Sequence, residues 1–236
     1  MSTSRRVIDT VLMEFDGVLA DTAAARRHAM LSVLLEDGIT LSPADYHDHC
    51  AGLPTPDAVR QALGCTRVEH DETGIELLAL RVDRAFSAHV GKGLVLAEGA
   101  REVVERLAAR TRVGIVSRAN RRDIEFALSL ARIESHFACV IGAEDVYPPK
   151  PSPAPYQAAL RRLERRRAVH ADGIVVALED AQSGIRSARA AGIRCIAVGQ
   201  IPAHVALEAN ALVPAIAGLD VHQIEQLVAH DGERFS

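Results

Sequence analysis

The alternation of apolar and polar blocks along the chain predicts an α/β protein. Short apolar runs rich in β-branched residues are typical of buried strands in a parallel sheet. The first such run ends at Glu14, and the others cover residues 113–117, 138–142, 173–180 and 194–199, with a short strand near Leu212. Helical spacing predicts helices at residues 99–110, 120–131 and 183–191, and a last helix that reaches about residue 229. Alternating strands and helices of this kind predict a doubly wound, largely parallel, Rossmann-like sheet.

Between the first and second strands the pattern changes to helices alone. Helical spacing covers residues 23–36, 57–63 and about 72–90, Ser42-Pro43 opens a further short helix, and Gly91-Lys92-Gly93 ends the long one. This block contains no convincing strand. We therefore expect an all-helical cap domain at residues 21–97, inserted into a core domain formed by residues 1–20 and 98–236.

Charge and composition restrict the class of partner. The 27 basic residues are scattered among 31 acidic ones, and the net charge is −4, which predicts neither a nucleic acid polymer nor an anionic membrane as partner. The basic cluster at residues 161–167 is read as the solvated face of a helix. No apolar run approaches the roughly 20 residues that span a bilayer, and the N-terminus lacks an apolar signal region. With four widely spaced cysteines read as reduced thiols, we expect a cytoplasmic protein.

Two carboxylates stand one residue apart where the first strand ends. Side chains alternate along a strand, so Glu14 and Asp16 point the same way while Phe15 points into the opposite layer. Gly17 then lets the chain turn at the carboxyl end of the strand, where open α/β sheets bind ligands. Two acids this close imply a divalent cation, a division into acid and base, or simply a solvated strand end.

Other polar residues follow later strands at the same edge. Ser117 ends the second strand, Lys150 lies in a proline-rich loop at residues 147–156 that forbids helix until about Ala154, and Glu179 with Asp180 ends the fourth strand. Acidic groups suit Mg²⁺, which binds through one or two carboxylates together with substrate phosphate. A serine hydroxyl and a lysine ammonium suit a phosphoryl group. Each residue alone also fits a helix cap, a solvated charge or an acidic first turn, but their shared edge indicates phosphoryl transfer.

In order and spacing, four segments resemble the signature motifs of the haloacid dehalogenase superfamily. The segments are EFDGVLADT, VGIVS, the loop Lys150-Pro151-Ser152-Pro153 and LEDAQSGIRSARAAG. The resemblance is strongest to the branch of phosphatases and phosphomutases with a helical cap, which includes phosphoglycolate phosphatases and β-phosphoglucomutases. It covers nearly the whole chain and implies an Mg²⁺-dependent hydrolase that acts on a small phosphorylated metabolite such as a sugar phosphate, a nucleotide or a phosphorylated acid.

The resemblance also implies a role for each motif residue. Asp16 matches the general acid and base, and Ser117 and Lys150 match the groups that hold the phosphoryl. The acidic pair Glu179 and Asp180 matches the residues that secure Mg²⁺. The backbone carbonyl of Asp16 would be a further ligand, and the carboxylate of Glu14 is also a candidate ligand. Further candidates for phosphate binding are Gly17, Arg118 and, from the start of the cap, Arg26.

Position 14 departs from the family pattern. The family nucleophile is an aspartate that forms an acyl phosphate, and here it is Glu14, whose carboxylate lies roughly 1.5 Å further from the backbone. Misplacement of reacting atoms by about 1 Å can cost roughly 100-fold in rate. The site has therefore adjusted to glutamate, or hydrolyses slowly with Glu14 only a ligand, or binds phosphorylated ligands without turnover.

Two hypotheses follow, together with weaker expectations. The first is an Mg²⁺-dependent phosphatase. The alternative is a catalytically impaired relative that binds phosphorylated ligands or plays a regulatory role. A mutase is disfavoured, because Thr55 or a neighbouring proline stands where the mutases present an arginine, and Arg26 stands where they have a histidine. A dehalogenase is also disfavoured, because dehalogenases do not need the acidic Mg²⁺ site. We expect a monomer or a weak homodimer.

Overall fold

The computed structural model describes residues 7–50, 53, 55–90, 96–165 and 173–229. The chain divides into two compact units, one made of Met1–Asp21 with Val95–Ser236 and the other of Thr22–Leu94. We call them the sheet unit and the helical unit. The predicted helix stop at residues 91–93 lies outside the described residues, as do residues 166 and 167 of the basic cluster.

The sheet unit is built on a six-stranded parallel sheet with the order β3-β2-β1-β4-β5-β6. Its strands are β1 Ile8–Met13, β2 Arg112–Val116, β3 Phe137–Ile141, β4 Ile174–Glu179, β5 Arg194–Val198 and β6 Ala211–Val213. Every residue of the central strand β1 is buried, as expected for a strand covered on both faces. In the register Met13 stands beside both Ile115 and Leu178, so β1, β2 and β4 end at the same edge. The predicted Rossmann-like fold class is confirmed.

Helices flank this sheet and bury its faces. They are α5 Ala100–Ala108, α6 Arg121–Leu130, α7 Ala154–Arg165, α8 Gln182–Ala190, α9 Ala203–Ala206 and α10 Val221–Ala229. The pair α7 and α8 packs on one face through Tyr156, Ala159, Leu163, Ile185 and Ala188. Helix α9 was not predicted, because one turn after Pro202 is too short to display helical spacing.

The regular secondary structure of the helical unit, within its described residues, is entirely helical. They are α1 Ala23–Glu36, α2 Pro43–Asp45, a π-helical turn Tyr46–Cys50, α3 Thr55–Thr66 and α4 Glu72–Val90. Ser42 caps α2 by accepting the backbone N–H of Asp45 at 3.0 Å. Helices α1, α3 and α4 enclose a separate apolar core. The prediction of a helix at residues 57–63 was too short, since α3 extends at both ends.

Within the described ranges, no helix has both the length and the apolar character that a bilayer crossing requires.

Candidate active site

The chain turns sharply at the carboxyl end of β1, and this turn fixes the first two acids. The backbone N–H of Glu14 continues the sheet by donating to the carbonyl of Leu178 at 2.9 Å. Phe15 is buried, and its carbonyl accepts the N–H groups of Leu19 and Ala20. Gly17 has φ +76°, which is the left-handed region where glycine carries no steric penalty. The turn therefore leaves Glu14 buried and Asp16 partly exposed at the sheet edge.

Lys150 is the centre of the buried polar cluster. Its ammonium donates to Glu14 Oε2 at 2.7 Å, to Glu179 Oε1 at 2.5 Å and to the carbonyl of Val116 at 2.7 Å. The side chains of Lys150, Glu14 and Glu179 are all at least 94% buried. An ammonium has three donors, and each is used here. The ends of β1, β2 and β4 are thus joined by one residue of a loop.

Contacts behind the loop hold Lys150 in this position. Prolines flank it, and the backbone N–H of Ser152 donates to the carbonyl of Pro149 at 3.0 Å. The hydroxyl of Ser187, fully buried on α8, donates to the carbonyl of Ser152 at 2.5 Å. Because α8 lies on the sheet, the loop is tied to a rigid element.

The two acids that follow β4 rest against glycine backbones. A Cβ on Gly184 would lie 1.8 Å from Glu179 Oε2, and a Cβ on Gly17 would lie 2.0 Å from Asp180 Oδ2. Real Cβ atoms do not approach other atoms this closely, so a side chain at either position would require the carboxylate to shift. The structure thereby brings Asp180 against the turn that carries Asp16.

Ser117 and Arg118 lie at the end of β2. Ser117 is buried, its backbone N–H donates to the carbonyl of Ile141, and its hydroxyl oxygen accepts the N–H of Ala119 at 3.1 Å. The same hydroxyl hydrogen-bonds with Glu14. Arg118 is partly buried beside it. Arg26, the candidate from the predicted cap, belongs to the helical unit, where its guanidinium lies 4.2 Å from the ring centre of Phe86.

Hydrogen-bond donors surround the carboxylate of Glu14. Its Oε1 accepts the backbone N–H of Phe15 at 2.8 Å, while Lys150 binds Oε2. Burial opposes ionisation, but Lys150, Ser117 and that N–H together lower the pKa of Glu14 below its usual value. Burial likewise opposes the charge of Lys150, and the two glutamates nevertheless raise its pKa. Glu14 and Lys150 therefore form an ion pair.

The remaining acids carry more negative charge than this lysine can balance. Burial raises the pKa of Glu179 to about 7, with Lys150 acting against it and Glu14 adding to it. Burial and then the charges of Glu14 and Glu179 raise the pKa of Asp180 to about 8, and Asp16 adds to this effect. Such raised pKa values mean that the cluster favours binding a positive charge, either protons or a cation.

The acidic residues of the site could hold a magnesium ion only if water and a substrate phosphate complete its shell. Among the described residues, no three acidic, histidine or cysteine side chains are already gathered as a metal cage. Mg²⁺ needs only one or two carboxylates when water and phosphate complete its shell. Glu179 Oε2 is buried and has no hydrogen-bond donor in the described part of the chain, which leaves an acceptor for such a shell.

Two residues of the site were not identified from the sequence. The hydroxyl of Tyr156, on α7, donates to Glu179 Oε1, and Gly184 supports the same carboxylate from α8. Burial and the charge of Glu179 raise the pKa of Tyr156 well above its usual value, so the phenol stays protonated. The helical spacing of Tyr156 with Ala159 and Leu163 indicates a buried face, but it does not identify the partner of the hydroxyl.

Comparisons with known proteins identify the family of this chain. The sequence profile of the family described as haloacid dehalogenase-like hydrolase matches residues 11–198. A phosphoglycolate phosphatase of Yersinia pestis is 25% identical over 192 residues, which cover 81% of each protein. The pyrophosphatase PpaX of Bacillus anthracis is 29% identical over 160 residues, which cover 67% of this chain and 70% of that protein. The crystal structure of CbbY from Rhodobacter sphaeroides in complex with phosphate has a TM-score of 0.72 at 23% identity, covering 90% of this chain and 96% of that one. The profile match spans well over half of the sequence, and the chain therefore belongs to the haloacid dehalogenase-like hydrolase family.

Proposed function

We propose that this protein is an Mg²⁺-dependent phosphatase that hydrolyses a small phosphorylated metabolite, with the carboxylate of Glu14 as the attacking group. The observation that carries the proposal is the ion pair at the sheet edge, where Lys150 holds Glu14 ionised and buried beside the hydroxyl of Ser117. An ionised carboxylate surrounded by anion-binding donors suits attack on a phosphoryl group.

The proposed reaction has two steps. In the first, a Glu14 oxygen forms a bond to phosphorus while the bond to the leaving oxygen breaks, and Asp16 gives that oxygen its proton. In the second, Asp16 takes a proton from water, the water oxygen attacks phosphorus, and the bond to Glu14 breaks to release inorganic phosphate. Both steps conserve charge and atoms, and Asp16 ends in the state in which it began.

The cation would be held by the carboxylates of Glu179 and Asp180 and by the backbone carbonyl of Asp16, with Glu14 at its edge, and would neutralise charge on the transferring phosphoryl. Lys150 and Ser117 would contact the phosphoryl oxygens, and the backbone at Gly17 permits close approach. Arg118 is proposed to bind the anionic part of the substrate. Both relatives compared above are phosphatases by name, acting on phosphoglycolate and on pyrophosphate, which supports a small substrate.

A phosphate-release assay tests this proposal. Purified protein is incubated with a panel of sugar phosphates, nucleoside monophosphates and phosphorylated acids, in Mg²⁺ and in EDTA. We expect Mg²⁺-dependent release from at least one substrate, and no faster release from Glu14→Asp, because the Lys150 contact is built for the longer side chain. Asp16→Asn should slow release by about 100-fold or more, as expected when a general acid is lost.

Asp37→Asn is the matched control, since it neutralises a carboxylate that pairs with Arg81 in the helical unit. Its rate should stay near that of the starting protein. If the starting protein is inert on every substrate while Glu14→Asp gains activity, residue 14 has disabled a competent scaffold. The protein would then be a binder of phosphorylated ligands instead of a phosphatase.

A further inference from the structure

Tyr156 lies behind the candidate cation site and contacts it through one atom. Its side chain is fully buried on the face of α7 that packs against the sheet. A buried phenol needs a hydrogen-bond partner, and the hydroxyl donates to Glu179 Oε1. The ring also lies 5.3 Å from the Lys150 ammonium, measured to the ring centre. Tyr156 thus contacts the two residues that connect β4 to the loop.

The two oxygens of Glu179 are in different environments. Oε1 accepts from both Lys150 and Tyr156, whereas Oε2 is buried with no donor among the described residues and rests against Gly184. A carboxylate with two donors on one oxygen cannot turn about its last bond without breaking both hydrogen bonds. Lys150 and Tyr156 therefore keep Oε1 occupied and leave Oε2 as the oxygen that can still accept a ligand.

We infer that Tyr156 is a positioning residue that, with Lys150, fixes Glu179 so that Oε2 is the oxygen offered to the divalent cation. The inference rests on the proposed function, because it requires the cation site. Lys150 has its own contacts to Glu14 and Val116, so the phenol is the donor dedicated to Glu179. Supporting hydrogen bonds of this kind orient the ligands of a metal, and their loss weakens metal affinity by about 10-fold to 100-fold.

Binding of Mn²⁺, a stand-in for Mg²⁺ visible by electron paramagnetic resonance, tests this inference without any substrate. Tyr156→Phe keeps the buried ring and removes only the hydroxyl. We expect its dissociation constant for Mn²⁺ to rise at least about 10-fold. The matched control is Tyr147→Phe, because the side chain of Tyr147 is 91% exposed, and it should bind Mn²⁺ as the starting protein does. Thermal unfolding of both variants establishes that they are folded.

A double-mutant cycle with Glu179→Gln separates positioning from a general structural effect. If Tyr156 acts through Glu179, adding Tyr156→Phe to Glu179→Gln weakens Mn²⁺ binding no further. Equal Mn²⁺ affinity in the starting protein and Tyr156→Phe, or full additivity in the cycle, overturns the inference and leaves the proposed function intact. Absence of Mn²⁺ binding by the starting protein overturns both.

Discussion

Lys150 is the residue on which the candidate site depends, because all three of its donors are occupied by groups from three strands. A phosphoryl group that binds to this ammonium must therefore displace one of them. The carbonyl of Val116 is neutral, and giving it up costs less than separating either carboxylate. We expect substrate binding to exchange that contact first.

Replacement of Lys150 by methionine should destabilise the protein strongly. The change leaves two buried carboxylates without a counter-charge, which costs about 3–5 kcal/mol when one partner of a buried pair is removed. Urea denaturation at pH 7.5 measures the loss, and it should be smaller at pH 5, where the carboxylates can take up protons. The control is Arg186→Met, which breaks an exposed pair with Glu208 and should change the free energy of unfolding by about 1 kcal/mol or less. Equal stability of Lys150→Met and the starting protein would contradict the ion pair.

Sequence reasoning was most successful for residues at strand ends. Glu14, Ser117, Lys150 and Glu179 could be grouped because parallel strands end at one edge, and the structure brings these four side chains together. Tyr156 could not be grouped with them, since its contact with Glu179 depends on how α7 packs against β4. A spacing pattern shows which face of a helix is buried, but not which polar atom lies opposite.

Among the helices, α8 can approach Glu179 at the end of β4 closely because it carries a glycine, Gly184, at the contact. Gly184 sits in the first turn of α8 against Glu179, whereas Gly64 in α3 has open space where a Cβ would stand. Both glycines are helical, so propensity alone favours alanine at each by roughly 0.5–1 kcal/mol. Packing reverses that preference at Gly184.

We expect Gly184→Ala and Gly64→Ala to have opposite effects. Gly64→Ala should raise the free energy of unfolding by roughly 0.5–1 kcal/mol. Gly184→Ala should lower the free energy of unfolding and weaken Mn²⁺ binding, because Glu179 must move to admit the methyl group. Chemical denaturation and Mn²⁺ titration of the two variants measure both effects. A Gly184→Ala protein that is more stable and binds Mn²⁺ unchanged would show that the close contact of Gly184 with Glu179 does not matter for stability or for cation binding.

Element boundaries were predictable where local signals and packing agree. Helices α1 and α4 begin and end at the predicted residues 23–36 and 72–90. Helix α3 is longer than predicted because Thr55, Gly64 and Thr66 are weak helix formers, yet the helix packs into the core of its unit through Ala62 and Leu63. Tertiary packing outweighed propensity there.

At the scale of the whole molecule, the cluster of acids links folding to pH and to Mg²⁺. The folded-state pKa values of Glu179 and Asp180, about 7 and about 8, exceed those of an unfolded chain, which lie near 4. The stabilisation from their bound protons is complete below pH 4 and is lost as pH rises through 7 and 8. The pKa of Glu14 lies below its usual value and that of Lys150 above its usual value, so neither group accounts for a loss of stability near pH 7 to 8.

We therefore expect the metal-free protein to lose stability between pH 5 and pH 8.5. Mg²⁺ replaces the protons, so it should raise the free energy of unfolding more at pH 8.5 than at pH 6. Urea denaturation in EDTA and in Mg²⁺ at several pH values gives both quantities. Asp180→Asn should flatten the pH dependence in EDTA. A starting protein whose stability is level across this range, with Mg²⁺ acting equally at both pH values, would contradict the raised pKa values.

Attack of Glu14 on phosphorus would leave an acyl phosphate on this residue, and trapping that acyl phosphate tests the proposed role of Glu14. Asp16→Asn should slow the second step, because the variant has no base to activate water. The substrate for this experiment has a good leaving group, such as a nitrophenolate, so that the first step does not need the acid that the variant has lost. The variant, with Mg²⁺ and a substrate that the starting protein hydrolyses, is treated with hydroxylamine, which converts an acyl phosphate to a hydroxamate, and is then digested for mass spectrometry. We predict a hydroxamate on Glu14. Phosphate release by the starting protein with no modification of Glu14 in either protein would contradict the claim and make Glu14 a ligand only.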